Sequence, residues 1–276
     1  MAMAAKKKKK APGKNTAGLI CCLVLLLCAV VFAVKSCSLR SGVFWTSDSQ
    51  QSVQDPLPTN ARSAEAFSQQ DGRITYPGAL QGVDVSSHQG QIDWASVKAS
   101  GISFAVIQVG YRGYGSGQIN ADERFVQNIE GALAAGLDVG VYFFSQATSE
   151  DEAVEEAEFV LEAVAGYDLA YPIFFDWEQI EGAERTADVT PQDISDFSQA
   201  FCKHITQAGY DAGVYFNQIY GYSVMELHEL RDYAFWLAEY DDYPSFYYDV
   251  KFWQYTGSGT VPGISTVVDL DLYFTD

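Results

Sequence analysis

Two acidic residues, Asp176 and Glu178, close the apolar segment YPIFFDWE at positions 171–178. In a β-strand, side chains two residues apart point to the same side and lie about 6–7 Å apart. Both carboxyl groups therefore share one face with Phe174, and the residues between them share the other face. Apolar surroundings raise the pKa of a carboxyl group, so one member of such a pair can stay protonated near neutral pH. A pair of this kind is suited to acid catalysis.

Three further acids lie in short apolar runs elsewhere in the chain. Asp84 lies in GVDVSSHQG, and Asp269 and Asp271 lie in VVDLDLYF. Each alone has a plainer explanation: a hydrogen-bonded structural acid, a surface acid, or a ligand for Mg²⁺ or Ca²⁺. Acids on three strands, in a chain rich in aromatic residues, favour cleavage of glycosidic bonds, in which one carboxylic acid protonates the leaving oxygen.

Few histidines accompany these acids. The chain has His88, His204 and His228 only, which gives little support to zinc hydrolases or to His-based nucleophilic triads. The sequence also lacks G-x-S-x-G, a phosphate-binding glycine loop and a dinucleotide fingerprint. We interpret His88 as a turn residue that orders the loop beside Asp84, and we place the other two histidines in helices without a chemical role. No metal site and no cofactor are predicted.

Eight β-rich runs alternate with helical patterns after residue 80, and these elements must position the acids. The runs are 82–86, 104–112, 138–146, 171–178, 212–218, 233–240, 249–256 and 266–274. Two helix starts between them are well signalled: Ser149 with Glu152 predicts a capping box, and Thr190 precedes Pro191. Strand, helix, strand in this order predicts parallel strands with right-handed crossovers. Eight strands favour a closed barrel, although the spacing alone also allows an open sheet.

The last third of the chain departs from this order. The gaps 241–248 and 257–265 are too short for a helical crossover, so we expect loops there and some antiparallel pairing. The predicted fold class is α/β, an irregular TIM-like barrel with a weakened helical layer at its end. The first and eighth strands of a closed barrel are neighbours, so Asp84 and Asp269 are expected side by side, across the opening from the fourth strand.

The charge of the chain is unevenly distributed. Residues 1–40 hold eight of the 17 Lys and Arg residues and no acid, so the other nine basic residues face all 36 acidic residues. Such an acidic body argues against nucleic acid as a partner, because phosphate binding needs clustered Lys and Arg. Cys202 is the single cysteine after residue 40, and at an apolar helix position we expect it to be a buried core residue.

The N-terminal pattern predicts a membrane anchor. A basic cytoplasmic tail, residues 1–16, precedes residues 17–34, which carry no charge and are long enough for a transmembrane helix. A flexible linker over residues 35–79 then leads to an extracytoplasmic catalytic domain at residues 80–276. The expected localisation is the cell membrane, with a single span. A cleavable signal peptide is the alternative, in which case the protein is secreted.

Seven motifs, in this order, resemble one known family. GVDVSSHQGQIDW, VGVYFFSQA, PIFFDWE, GVYFNQ, FWLAEY, FWQYT and VVDLDLYF are similar to the family 25 glycoside hydrolases. These enzymes are lysozymes that cleave the β-1,4 bond between N-acetylmuramic acid and N-acetylglucosamine in peptidoglycan. The resemblance implies a barrel with five β/α units followed by three strands that lack full helices.

The resemblance also implies roles for single residues. Glu178 matches the general acid of the family, Asp176 its partner, and Asp84 and Asp269 the acids of the first and last strands. Asp271 stands where the family often has Asn. A second set matches positions that line the substrate groove, although aromatic residues that alternate along strands are more often core residues. This set is Tyr142, Tyr215, Trp236 and Gln254.

The sequence therefore predicts a peptidoglycan hydrolase that works by carboxylate acid/base catalysis. The expected partners are peptidoglycan and, through the N-terminal helix, the cytoplasmic membrane; no obligate protein partner is evident. Phe143 stands where many members of the family carry His, a difference that leaves the carboxylates in place. Two other classes stay open, namely a non-catalytic wall-binding protein and a barrel glycosidase that acts on another polysaccharide.

Overall fold

The structure is a computed structural model that describes residues 56–276. It contains eleven strands in that part of the chain: β1 (Ser68–Gln70), β2 (Arg73–Thr75), β3 (Leu80–Val85), β4 (Phe104–Arg112), β5 (Ile119–Ala121), β6 (Asp138–Ser145), β7 (Ile173–Trp177), β8 (Ala212–Asn217), β9 (Ala234–Ala238), β10 (Phe252–Gly259) and β11 (Val268–Tyr273). The helices are α1 (Trp94–Ala99), α2 (Phe125–Ala134), α3 (Glu150–Val164), α4 (Pro191–Gln207) and α5 (Gln218–Ser223).

Eight of these strands close into a barrel. The hydrogen-bonded order is β3-β4-β6-β7-β8-β9-β10-β11, and the β11–β3 pairing completes the ring. Seven strands run parallel, while β11 is antiparallel to both of its neighbours. Each of the eight predicted runs overlaps one barrel strand, and the β11–β3 pairing confirms the closed barrel over the open sheet. Helices α1 to α5 follow the first five barrel strands and none follows β9 or β10, which confirms the five β/α units.

Alternation along the strands divides the apolar side chains into two layers. The inside of the barrel is filled by Phe104, Val106, Phe174, Trp236 and Phe252, whereas Phe175 and its neighbours on the outer face pack under the helices. At Gly213 the inner layer leaves no room for a side chain. A Cβ atom on Gly213 would lie 2.4 Å from the Phe174 ring, so glycine there allows the large ring to fill the interior.

Helix α4 shows how local sequence places one outer layer. Thr190 caps its N-terminus in a capping box with Asp193, and Pro191 occupies the first turn. The apolar stripe of α4 faces the barrel and includes Cys202, which is a buried free cysteine as predicted. The prediction that His228 lies in a helix is wrong, because residues 227–232 form turns.

Residues 56–79 correct the predicted linker. Strands β1 and β2 form an antiparallel hairpin, and Leu57 and Ile74 are only 4% and 6% exposed. Arg62 forms ion pairs with Asp249 at 2.6 Å and Asp276 at 2.7 Å. The prediction of a flexible linker is therefore wrong for this part, because burial of apolar side chains holds it against the barrel. Its earlier part, residues 35–55, lies outside the described residues.

The predicted cytoplasmic tail, residues 1–16, and the predicted transmembrane anchor, residues 17–34, also lie outside the described residues. Within residues 56–276, no helix combines the length and the apolar character that a membrane span requires.

Candidate active site

The barrel opens at one rim into a cleft of about 550 Å³. At this rim the parallel strands end and the antiparallel β11 begins, which is where barrel enzymes keep their functional groups. All eight residues that the sequence analysis selected line this cleft: Asp84, Tyr142, Asp176, Glu178, Tyr215, Trp236, Gln254 and Asp269. The structure thus brings together residues separated by as many as 185 positions in the chain.

The acid pair lies at the end of β7. Asp176 is 5% exposed, and its buried Oδ1 accepts no hydrogen bond from the protein. Burial raises the pKa of Asp176 well above its ordinary range, and the Glu178 carboxylate beside it adds to the shift. Burial also raises the pKa of Glu178, which is the more exposed of the two. Since two neighbouring buried carboxylates resist double ionisation, the pair retains a proton at pH values where free acids have lost theirs.

The backbone that carries Glu178 is held from two sides. Gln146 Nε2 donates a hydrogen bond to the Glu178 carbonyl oxygen at 2.6 Å. On the next residue, the backbone N–H of Gln179 donates to the hydroxyl of Tyr220 at 2.9 Å. These bonds continue the fixed geometry of β7 past its last strand residue, Trp177, so the Glu178 side chain projects from a rigid segment.

The other two acids face each other across a strand pair. Asp84 on β3 is the direct register partner of Asp269 on β11, which confirms that they are neighbours. Burial raises the pKa of Asp84 well above its ordinary range, with the charges of Asp271 and Asp269 adding to the shift. Burial likewise raises the pKa of Asp269.

Gln254 connects Asp84 to the aromatic residues of the cleft. Its Nε2 donates to Asp84 Oδ2 at 2.8 Å. Its Oε1 accepts hydrogen bonds from the hydroxyls of Tyr215, at 3.0 Å, and Tyr240, at 2.9 Å. Trp236 lies deeper and is almost fully buried, with its ring in contact with that of Tyr215 at a centroid distance of 4.8 Å. Trp236 is therefore a core residue whose edge reaches the cleft floor.

Several cleft residues were not selected from the sequence. Three exposed tyrosines, Tyr111, Tyr114 and Tyr240, line the cleft. His88 also lines it, from a short turn that Ser86 caps, so its expected position in a turn is confirmed. Their position along the strands could have identified two of these tyrosines from the sequence. Tyr111 and Tyr240 lie at or just beyond the C-terminal ends of barrel strands, where the functional residues of barrel enzymes are found.

Asp271 has a different surrounding from the other acids. It is fully buried beneath the cleft, and its Oδ1 accepts a hydrogen bond from Trp236 Nε1 at 2.9 Å. Among residues 56–276, no group of three or more His, Cys, Asp or Glu side chains has an arrangement that would hold a metal ion. The arrangement of buried carboxyl groups beside aromatic rings can transfer a proton to a bound sugar and stabilise a developing positive charge.

Comparison with known proteins agrees with this geometry. The family model described as glycosyl hydrolases family 25 matches residues 83–264. The chain is 28% identical to the autolytic lysozyme of Clostridium acetobutylicum over 194 residues, which cover 70% of this chain and 55% of that protein. It is also 28% identical to lysozyme M1 of Streptomyces globisporus over 200 residues, covering 69% of this chain and 66% of that protein. The chain thus spans between about half and two thirds of the length of these relatives.

The fold is similar to that of a solved structure, the modular autolysin LytC from Streptococcus pneumoniae in complex with a synthetic peptidoglycan ligand. The TM-score is 0.64 at 24% identity, over 76% of this chain and 52% of that one. The family match covers most of the barrel and includes Asp84, Asp176 and Glu178. On this evidence, the chain belongs to the glycosyl hydrolases of family 25.

Proposed function

We propose that this protein is a peptidoglycan hydrolase that cleaves the β-1,4 bond between N-acetylmuramic acid and N-acetylglucosamine. The observation that carries the proposal is the placement of Asp176 and Glu178 on one face at the end of β7, opposite Asp84 and Asp269, in one cleft. Both named relatives are lysozymes, and the autolysin LytC was solved with a peptidoglycan ligand. These names support the same substrate class for this chain.

Glu178 is the proposed general acid. Its carboxyl group is the more exposed member of the pair, so its proton can reach a glycosidic oxygen in the cleft. The raised pKa keeps that proton available at pH values where a free glutamic acid has lost its own. As the bond breaks, the proton moves from Glu178 to the leaving oxygen, and Glu178 becomes ionised.

Asp176 is the proposed stabiliser of the sugar centre. Its buried Oδ1 has no donor from the protein, so a substrate group can supply one. Positive charge that develops on the sugar favours the ionised form of Asp176. Asp176 either faces this charge directly or orients the acetamido group of the substrate as an internal nucleophile, a route that retains the configuration of the sugar.

Asp84 and Asp269 are proposed to support this pair, and the aromatic residues to hold the glycan. The negative charges of the two aspartates disfavour ionisation of groups in the cleft. Tyr142 and Tyr215, with the exposed Tyr240, offer ring faces and hydroxyl groups to sugar rings. Gln254 is occupied by Asp84 and two tyrosines, so its role is to fix these groups rather than to bind sugar itself.

We also propose that residues 17–34 anchor the protein in the cytoplasmic membrane, with the barrel outside the cytoplasm. The support is the uncharged segment that follows a lysine-rich tail. A tethered enzyme of this kind would act on the wall close to its own membrane. Alkaline extraction of membranes from cells that make the full chain tests the anchor: release of the protein into the soluble fraction would contradict it.

Product analysis tests the activity. Full-length protein, kept in detergent, is incubated with purified peptidoglycan, the new sugar ends are reduced with borohydride, and the reduced sugar is identified by mass spectrometry. Glu178→Gln is the test variant, and Glu181→Gln, a change at an exposed acid three residues further along, is the matched control.

We expect reduced muramic acid from the wild type and from the control, and a loss of several orders of magnitude in Glu178→Gln. Reduced glucosamine would show that the other bond is cut. Binding to the wall without products would identify a non-catalytic wall-binding protein, and cleavage of a different glycan alone would identify another polysaccharide as the substrate.

A further inference from the structure

Asp271 presents a buried acid that the proposed mechanism does not use. It is 0% exposed and does not line the cleft. Its Oδ1 accepts from Trp236 Nε1, but its Oδ2 is buried without a hydrogen-bond donor. A buried carboxylate oxygen that lacks a donor is destabilising. A proton between Oδ2 and a neighbouring acceptor, carried by the neighbour or by Asp271 itself, would give this oxygen a hydrogen-bond partner.

The neighbouring group is Asp84. Asp271 lies two residues from Asp269, the register partner of Asp84, so Asp84 and Asp271 are diagonal neighbours on one face of the strand pair, and a hydrogen bond between their carboxyl groups requires a proton. The described ion pairs of Arg62, Arg112 and Arg185 all involve other acids, so these cations do not neutralise the pair. Two buried carboxylates in contact resist double ionisation.

We propose that Asp271 is a positioning residue that shares one proton with Asp84 and thereby holds the Asp84 carboxyl group in a single orientation at the cleft. One hydrogen-bonded chain then runs from Trp236 Nε1 through Asp271 and Asp84 to Gln254 Nε2. Its importance for catalysis rests on the proposed function, in which Asp84 supports the acid pair.

The surroundings of Asp271 favour retention of this proton. Burial raises the pKa of Asp271 to about 8, against the lowering effect of the Trp236 hydrogen bond; the charge of Asp269 on the same strand adds to the rise, and the interaction with Asp84 opposes it. Burial also raises the pKa of Asp84 on β3. The other titratable groups that interact with Asp271 are Tyr240 and Tyr255, and both are neutral below the alkaline range.

Two substitutions of Asp271 distinguish the effect of its titrating proton from the effect of its hydrogen bonds. In Asp271→Asn, the amide oxygen can accept from Trp236 and the amide nitrogen can donate to Asp84, with no proton to lose. In Asp271→Leu, both bonds disappear while the side chain keeps its branching at Cγ. We expect Asp271→Leu to lower kcat on peptidoglycan about 10²-fold, since Asp84 loses its support, and Asp271→Asn to recover most of that loss.

The pH dependence of thermal unfolding reports the protonation of this acid pair independently of activity. An acid whose folded pKa is raised takes up its proton more readily in the folded state, so its contribution to stability is lost as pH rises through the folded pKa. The wild type therefore loses stability through this pair as the pH rises from the ordinary aspartate range to the Asp271 pKa of about 8, whereas Asp271→Asn loses less because one titrating acid has been removed. The Tm difference between Asp271→Asn and wild type should grow with pH, and an exposed control, Asp232→Asn, should show no such growth.

The outcomes separate this inference from the proposed function. If Asp271→Asn loses as much kcat as Asp271→Leu, or if its Tm difference from wild type is the same at every pH, the shared proton is refuted. If the wild type does not cleave peptidoglycan, the proposed function fails, and the Tm series still decides whether Asp84 and Asp271 share a proton.

Discussion

Asp84 and Asp269 lie directly opposite each other on antiparallel strands β3 and β11. Like charges at opposed positions of a strand pair are unfavourable for folding, yet here both side chains face the cleft. The structure therefore contains a repulsion that serves the site at some expense of stability. The charge of Asp269 also contributes to the raised pKa of Asp84.

Asp269→Asn should stabilise the barrel and weaken its activity. Removal of one opposed charge should raise the free energy of unfolding by about 0.2–1 kcal/mol, and the gain should increase with pH because repulsion requires both carboxylates to be ionised. Chemical denaturation at several pH values, beside peptidoglycan turnover, measures both effects. Equal stabilisation by Asp232→Asn, a change at an exposed acid, would show that total charge and not the Asp84 contact is responsible.

Asp176→Asn should shift the pH dependence of the remaining activity. The two carboxyl groups form a coupled pair in which the charge of Glu178 raises the pKa of Asp176. Because this repulsion is mutual, it ends when Asp176 is removed, and the alkaline loss of activity should begin at lower pH. The pH profile of kcat/KM for wild type and variant measures this shift. Asp188→Asn, at an exposed position, serves as the control, and an alkaline limb that stays in place in Asp176→Asn would contradict electrostatic coupling of the pair.

Arg112→Met should destabilise the barrel in a pH-dependent manner. Arg112 Nε contacts Glu156 Oε1 at 2.6 Å, and both side chains are buried. Burial already raises the pKa of Glu156 to about 7, even though the hydrogen bonds of Ser145 and Arg112 oppose the rise. Loss of the cation leaves a buried charge unpaired, so we expect a cost of about 3–5 kcal/mol above that pH.

The cost of Arg112→Met should shrink as the pH falls toward the wild-type Glu156 pKa of about 7. The variant raises that pKa further, so the folded state takes up a proton that the unfolded chain binds only at lower pH. Urea unfolding at acidic and alkaline pH measures the difference. Lys98→Met, at an exposed helix position, should have little effect at either pH, and a cost for Arg112→Met that does not depend on pH would argue against an unpaired Glu156.

A chain that begins at residue 80 should be less stable than one that begins at residue 56. The lost burial of Leu57 and Ile74 corresponds to about 3–6 kcal/mol, part of which is offset because fewer residues must be ordered. The ion pairs of Arg62 with Asp249 and Asp276 are also removed. Differential scanning calorimetry of the two chains gives the Tm values, and equal values would mean that residues 56–79 are a passive linker after all.

Strand and helix order could be read from the sequence because each depends on near neighbours in the chain. Short β-rich runs marked the eight barrel strands, and short gaps marked the missing helices of the last strands. The residue pair Asp176 and Glu178 followed from the same alternation, since positions two apart share a face. Local sequence was also misleading at one place, because the turns around His228 were predicted to be a helix.

The tertiary structure decided which acids touch. Asp84 and Asp271 are far apart in the chain, and their position as diagonal neighbours follows from the register of β11 against β3, which depends on packing in the whole barrel. Residues 56–79 also depend on tertiary structure. Their polar composition alone predicts a linker, but the barrel provides an apolar surface against which they pack. Local sequence determined the strands and the acids they carry. Only the closed barrel decided which carboxyl groups lose their water and must share a proton, because burial and distance are properties of the assembled fold.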